Sequence, residues 1–421
     1  MCDLLAHPSL AFPSVKQTTS GYSHPSGSAT GGEARVNWDR TRYGAAPLQS
    51  VIGRLQVLIS GDADPLWQCF FFALADTFER AYGLATEWTY LSSPSSAADT
   101  SEKGLNDLFA QRPSEVIPST FRAVVHWLRT KRPSVVHTVG WKAAILAQSA
   151  RLFAYPSPRL LCVPGSLEVL PSGAERWLDR FTRTLADRHL VADHHDRLQL
   201  LRSGFPPGKT VVMPLATRAQ HSTATPPLPG LRDEHFVLTA AFCSTGDDDP
   251  QWLALEILAE MVHRGVPSFL IAATTSSEAA AAVEDRARGL DVAQCLVCRP
   301  LLPDTHAIVA HADVALLPSA SAFASWFALA AVDAGTPVVK SPTVRIPRVI
   351  QDLFASAETI HPLARDDLHT WVDTMEDFRP RRSHPTTRRA RPAPALPALE
   401  DVARDYIRLY RMVRSRSRRR R

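Results

Sequence analysis

The stretch Ile308–Ile350, IVAHADVALLPSASAFASWFALAAVDAGTPVVKSPTVRIPRVI, decides how the chain folds. Val314 to Leu317 is a short apolar run closed by Pro318, as a buried parallel strand requires. Ser319 and Ser321 follow, and either hydroxyl can cap a helix. Phe323, Phe327, Ala330 and Ala331 then recur at helical spacing, and Gly335 stops the run. Thr336-Pro337-Val338-Val339 opens the next strand. The order is strand, capped helix, strand. This is a βαβ unit whose helix start points past the carboxyl edge of a sheet.

The same alternation extends along the chain. Leu55 to Ile59 reads as a strand, followed by Ser60-Gly61-Asp62 and a helix over 66–82 with Phe70, Leu74, Phe78 and Ala81 on one face. Phe121 to Leu128 is an amphipathic helix, and Ser134 to Thr138 a strand in which His137 reads as a core histidine. Leu160 to Val163 is another strand, and Trp177, Leu178, Phe181 and Leu185 mark a helix. After a Pro-rich linker at 220–235, Phe236 to Thr239 and Ser268 to Ala272 read as strands, with a helix over 252–263 between them. A helix over 279–289, a strand over 294–297 and a short helix over 305–311 lead into the opening stretch. The expected architecture is α/β, with one Rossmann-like domain at 54–219 and a second at 236–378. Residues 1–53, rich in Ser, Gly, Thr and Pro, read as a disordered tail. Residues 379–396 read as an Arg/Pro-rich linker. A last helix is expected at 397–413, with Leu399, Val402, Ala403, Tyr406, Ile407, Tyr410 and Val413 as its apolar stripe, and 414–421 as a basic tail.

Composition narrows the class. The chain has 421 residues, 45% hydrophobic and 21% charged, as in an ordinary globular protein of two domains. No apolar run of about eighteen residues is present, and the first fifteen residues lack a charged leader, so the expected compartment is the cytoplasm. Cys295-Leu-Val-Cys298 has no second pair, and His189, His194 and His195 have no acidic partner at ligand spacing. Those histidines read as solvated or helix-capping, and no metal is expected. The net charge of +5 comes from two arginine clusters, 379–391 and 414–421. The second suggests peripheral attachment to an anionic membrane surface, with nucleic acid as second candidate and a solvated tail as the bland alternative.

The frame "ADVALLPS" before the central helix and "AGTPVV" after it resembles the donor-site segment of the GT-B glycosyltransferases, in particular the retaining group with an E-x7-E motif. The resemblance extends to "RPSVVHTVGWKAAILAQSAR", "ADRHLVAD" and "LLRSGFPPGKTVVMPLAT". It implies two Rossmann-like domains facing a cleft, with a nucleotide-sugar donor as substrate and no further cofactor. The two motif glutamates, which contact the sugar and the ribose in that group, fall on Ala322 and Ala330. The glycine loop after the first strand is reduced to Gly61, followed by Asp62 and Asp64. Where that group has diphosphate-holding cations, this chain has Ala240 to Asp249 with no Lys or Arg.

The remaining donor-site candidates are Ser319, Ser321, Ser244 and Thr245 as hydroxyl donors and Arg345 as a relocated cation. Asp333 is a candidate for a ribose hydroxyl, although its place near the helix end argues for solvent exposure. Gly61 and Asp62 are candidates on the N-terminal side of the cleft. A diphosphate is expected at the N-terminus of the helix beginning near Ala322. Two functional readings stand. One is a divergent glycosyltransferase, retaining if active. The other is a GT-B-shaped binding or scaffold protein without catalysis. An epimerase or phosphorylase on the same architecture has no supporting motif.

Overall fold

A computed structural model describes residues 52–60, 63–92, 114–163, 173–218, 230–232, 234–243, 249–302, 305–321, 323–348, 350–351, 360–364, 367–379 and 396–418. Most of the N-terminal tail and of the two linkers lies outside these residues, as do Arg419 to Arg421.

Seven parallel strands build the N-terminal sheet: β1 (Leu55–Ser60), β2 (Thr86–Ser92), β3 (Ser114–Pro118), β4 (Val135–Val139), β5 (Arg159–Val163), β6 (Arg188–Val191) and β7 (Thr210–Val212). Their order is β3-β2-β1-β4-β5-β6-β7. The connecting helices are α1 (Pro65–Tyr82), α2 (Phe121–Lys131), α3 (Trp141–Arg151), α4 (Gly173–Thr182) and α5 (His194–Arg202). The second sheet has six strands: β8 (Phe236–Phe242), β9 (Ser268–Thr274), β10 (Leu296–Pro300), β11 (Val314–Leu317), β12 (Val338–Lys340) and β13 (Ile360–Pro362). They are again all parallel, in the order β10-β9-β8-β11-β12-β13. Helices α6 (Leu253–His263), α7 (Ser277–Gly289), α8 (Thr305–Ala310), α9 (Ala324–Asp333) and α10 (Leu368–Phe378) serve this sheet. α11 (Leu399–Arg418) returns to the first lobe. In each sheet the order runs outward in both directions from its first strand, the doubly wound arrangement that opens a crevice at the strands' carboxyl ends.

Strand alternation assigns each side chain to a core. In β1, Leu55, Val57 and Ile59 face one layer, while Leu58 joins Val136, Leu160 and Cys162 under α2 and α3. In the second sheet, Phe236, Leu238, Ala240 and Phe242 pack under α6 and α10. Val237, Ala241, Ile271 and Ala273 face α8 and α9 instead. The two inner layers merge into one apolar cluster that runs from α11 through α1 to α9. All described residues belong to one compact unit, 46–421.

Three expectations change. Ile52 and Gly53 belong to the folded lobe rather than to the tail: Ile52 is fully buried, and a Cβ on Gly53 would meet Ser134 Oγ at 2.3 Å. The last helix runs from Leu399 to Arg418, past the expected end at Val413, with its stripe docked and the pairs Asp401–Arg404 and Asp405–Arg408 outside. His189 is not solvated. It is buried in β6, with Nε2 2.7 Å from the Arg183 carbonyl and its ring edge-on to Phe205.

His137 lies buried beneath α11. Its Nδ1 shares a 3.0 Å hydrogen bond with the Tyr410 hydroxyl, and its ring sits 4.2 Å from Phe71. Burial lowers its pKa to about 3, and that of His189 to about 4. Both values lie below that of an exposed imidazole, so the unfolded chain takes up the extra protons. Stability is therefore complete above about pH 6.5 and falls as the pH drops toward 4, with His137 contributing on the order of 3 kcal/mol over that window. Urea midpoints measured from pH 7 to pH 4 should decline, and the decline should be shallower for His137→Gln.

Candidate functional site

The site is assembled at the carboxyl ends of β8, β11 and β12, where they meet α1 of the first lobe. β11 is buried along its length, and Pro318 turns the chain out of the sheet. Ser319 and Ser321 are half-buried in this turn. Helix α9 begins at Ala324, with Phe323 as its cap residue and no side-chain cap. The serines therefore do not cap it through their hydroxyls. The Ser321 carbonyl accepts from Ala324 N (3.0 Å), and its hydroxyl acts to lower the pKa of the Cys243 thiol just past β8. Burial pushes that thiol up to about 12, and the fully buried Cys69 of α1, also raised by burial, feels its charge. Ser244, Thr245, Gly61, Asp62 and Ala322 lie outside the described residues.

α9 is apolar on every side and is buried accordingly. Trp326 is anchored within its own lobe, where its indole Nε1 donates to Thr305 Oγ1 (3.0 Å). Phe323, Phe327, Ala330 and Ala331 belong to the apolar cluster shared with Cys69, Phe70 and Ala73 of α1. The helices α1 and α9 pack directly on one another and form a seam between the lobes.

Asp333 reverses its expectation of solvent exposure. It is buried, and the Thr217 hydroxyl, from the segment after β7, donates to its Oδ2 (2.7 Å). His306 Nε2 of α8 lies 3.7 Å from the same oxygen. Burial holds His306 below the usual imidazole range, while the Asp333 carboxylate pulls it up and Arg218 down. Asp333 thus serves as a polar link between lobes. Arg345 is exposed in the loop after β12. Lys340, at the end of β12, was not picked out by sequence, because a lysine following an apolar strand reads as solvated. Its ammonium donates to the carbonyls of Val344 (2.7 Å) and Ser341 (3.3 Å), and burial lowers its pKa. Ser341 and Thr343 share a hydrogen bond beside it (2.7 Å). The turn after β12 thus gathers a cation and two hydroxyls near the Ser319–Ser321 turn, joined through the bond from Ser341 N to the Leu317 carbonyl (3.0 Å).

On the N-terminal side, the turns after β1 and β4 interlock. Ser60 Oγ accepts from Ala143 N (3.2 Å) at the start of α3 and donates to the Val139 carbonyl (3.3 Å). Gly140, at φ +99°, leaves room for that hydroxyl; a Cβ there would stand 2.4 Å from it. Among the described residues no cluster of three or more His, Cys, Asp or Glu is placed to hold a metal ion.

Two parallel Rossmann-like sheets meeting at their carboxyl ends define the GT-B fold, and comparison with solved structures agrees. A putative UDP-N-acetylglucosamine 2-epimerase from Listeria monocytogenes superposes with a TM-score of 0.53 at 14% identity, covering 84% of this chain and 95% of that one. A glycosyltransferase from Rickettsia africae gives 0.53 at 9% identity, covering 86% and 98%. UDP-GlcNAc 2-epimerase from Neisseria meningitidis, solved with UDP-GlcNAc, gives 0.50 at 11%, covering 84% and 98%. The sequence profile of the glycosyl transferase 4-like domain matches residues 98–216. No curated protein matches the chain.

Two substitutions probe the seam. Ala330→Glu would place an unpaired carboxylate in the apolar contact between α1 and α9, and should cost roughly 3–5 kcal/mol. A clear fall in melting temperature is expected. Asp333→Ala strands the buried Thr217 hydroxyl and should cost about 1–3 kcal/mol, with Thr217→Val/Asp333→Ala milder than the sum of the singles.

Proposed function

We propose that the chain is a divergent glycosyltransferase that takes a nucleotide-sugar donor at the β11–α9 turn. The observation that carries this reading is the convergence of the β11–α9 and β12 turns on the seam with the first lobe, at the crevice where doubly wound sheets bind ligands. The match to the glycosyl transferase 4-like domain supports it from the opposite lobe.

The chemistry asks for stabilisation of a departing diphosphate. In this chain the groups offered are the Ser319 and Ser321 hydroxyls, the Ser341–Thr343 pair and the Lys340 ammonium, which spends two of its three N–H donors on carbonyls. Ser244, Thr245 and Arg345 complete the proposed diphosphate set by sequence position. Asp333 is committed to Thr217 and is not assigned to the ribose. No metal and no separate cofactor enters the reading. The acceptor lobe would present Gly61 and Asp62 beside the locked Ser60–Gly140 turn. The sugar, without the two motif carboxylates, would be held mainly through the nucleotide.

One observation favours the second reading, a binding or scaffold protein without catalysis. Ala330, where the ribose-holding glutamate would fall, has no exposure at all, and its helix is packed on α1. Calorimetric titration with uridine, guanosine and adenosine diphosphates and their hexose conjugates separates the readings. Binding at up to millimolar concentration, with little gain from the attached sugar, is the expected result. Silence across the whole panel would replace the enzyme reading by the scaffold one.

A further inference from the structure

Helix α4 is built inside out. Asp179 and Thr182 are buried, and so is Arg183 just beyond the helix. Asp179 and Arg183 form an ion pair (3.8 Å), and the Arg183 guanidinium lies 4.7 Å over the Phe205 ring. The apolar residues point the other way. Trp177 is 63% exposed and Phe181 60%, their rings 4.4 Å apart one helical turn from each other, with Leu178 and Arg180 exposed between them. A helix that turns Asp179 inward and displays an indole and a phenyl ring presents a face made for apolar contact.

The neighbouring helices extend that face. α4 packs beside α3, and α3 beside α2. At the end of α3, Leu152, Phe153 and Tyr155 are exposed, and Phe121 of α2 stands edge-on to Phe153 (5.4 Å). Of the ten large apolar side chains left exposed among the described residues, seven lie on this one layer, so the patch is not random scatter.

The layer is also cationic. From Val116 to Leu167 the sequence holds no Asp or Glu and seven Lys or Arg. Arg122, Arg129, Arg132 and Arg180 are exposed there. The basic end of α11 joins the same edge of the lobe: Arg414 reaches to Gly53 beside Ser134, the residue that follows α2 by its short turn, and Ser134 in turn bonds Arg159 at the foot of the Leu152–Tyr155 loop. A second copy of the chain, docked through the same face about a twofold axis, would set Arg122, Arg129, Arg132 and Arg180 against their own equivalents, with Glu115 already paired to Lys131. An anionic lipid surface answers both features at once, apolar side chains at the headgroup–acyl boundary and guanidinium groups among phosphates.

We propose that the outer layer of α2, α3 and α4, continued by the basic end of α11, is a docking face for an anionic bilayer. Trp177, Phe181, Phe153 and Tyr155 enter the interface, and Arg122, Arg129, Arg132 and Arg180 pair with lipid phosphates. No described helix is long and apolar enough to cross a membrane, so the contact is with one leaflet. The inference stands independently of the donor-site reading.

The test is co-sedimentation of the full chain with phosphatidylcholine vesicles, with and without phosphatidylglycerol, at low salt. Wild type should partition onto the anionic vesicles alone. Trp177→Ser/Phe181→Ser and Arg122→Glu/Arg180→Glu alter exposed side chains. Each should keep the wild-type melting temperature and lower the partition coefficient about tenfold or more. Deleting residues 414–421 should weaken binding less than either double variant. The proposal is overturned if wild type ignores anionic vesicles, or if Trp177→Ser/Phe181→Ser binds them as wild type does. It is equally overturned if the deletion alone abolishes binding, or if lipid-free wild type forms a dimer that Trp177→Ser/Phe181→Ser dissolves. Displacement of bound vesicles by a single-stranded oligonucleotide that binds this face more tightly would assign the surface to nucleic acid and also overturn it.

Discussion

Helix α1 sets the terms for the rest of the molecule. Its sequence, PLWQCFFFALADTFERAY, is apolar around nearly its whole circumference, and Leu66 through Ala75 are buried without interruption. Such a helix must be covered on every side. The β-sheet covers one side, α11 another, and α9 of the second lobe a third. Each large side chain buried is worth roughly 1.5–3 kcal/mol, and Phe70, Phe71, Phe72 and Phe78 all depend on these covers. The second lobe and the last helix are therefore parts of the first lobe's core. Tyr82 fixes the entry of α11 by donating its hydroxyl to the Glu400 carbonyl (2.9 Å), and Leu399 N bonds the Arg218 carbonyl at the lobe junction (2.9 Å).

The fold was legible wherever local signals agreed. In Ile308–Ile350 an apolar run, a proline, helical spacing and a terminal glycine all fall in order, and β11, α9 and β12 follow them. The short β3 and β13 and the alternating TEWTYLS of β2 carried too little signal alone and take their place from neighbours in the sheet. Periodicity also reports which residues share a face but not where the face points. Trp177 and Phe181 share one as expected, yet the inward face is that of Asp179 and Arg183. The i,i+4 acid–base pair was the available clue.

The candidate site was legible in position and less so in chemistry. Ser319 and Ser321 do lie at a strand's carboxyl end. Asp333 could not be read correctly from its helix, because the hydroxyl that buries it belongs to Thr217, 116 positions earlier and in the other lobe. The same holds for Cys243 and Cys69, which come from different lobes and influence each other only after both sheets have formed. What these contacts share is commitment. Thr217 and Asp333 satisfy one another across the junction, and the neighbouring side chains of α9 are apolar.

The dependence of α1 on α11 has a consequence for how the chain is made. About 300 residues separate the end of α1 from the start of its last cover. During synthesis at roughly 5–20 residues per second, the phenylalanine-rich flank of α1 emerges tens of seconds before Leu399 to Val413 can reach it. The first lobe can form its sheet in that interval, but its core stays open on one side, where another nascent chain could bind. The final closing of the N-terminal lobe is thus an act of the C-terminus, and a ribosome that stalls late would leave behind a nearly complete protein with its most adhesive surface bare.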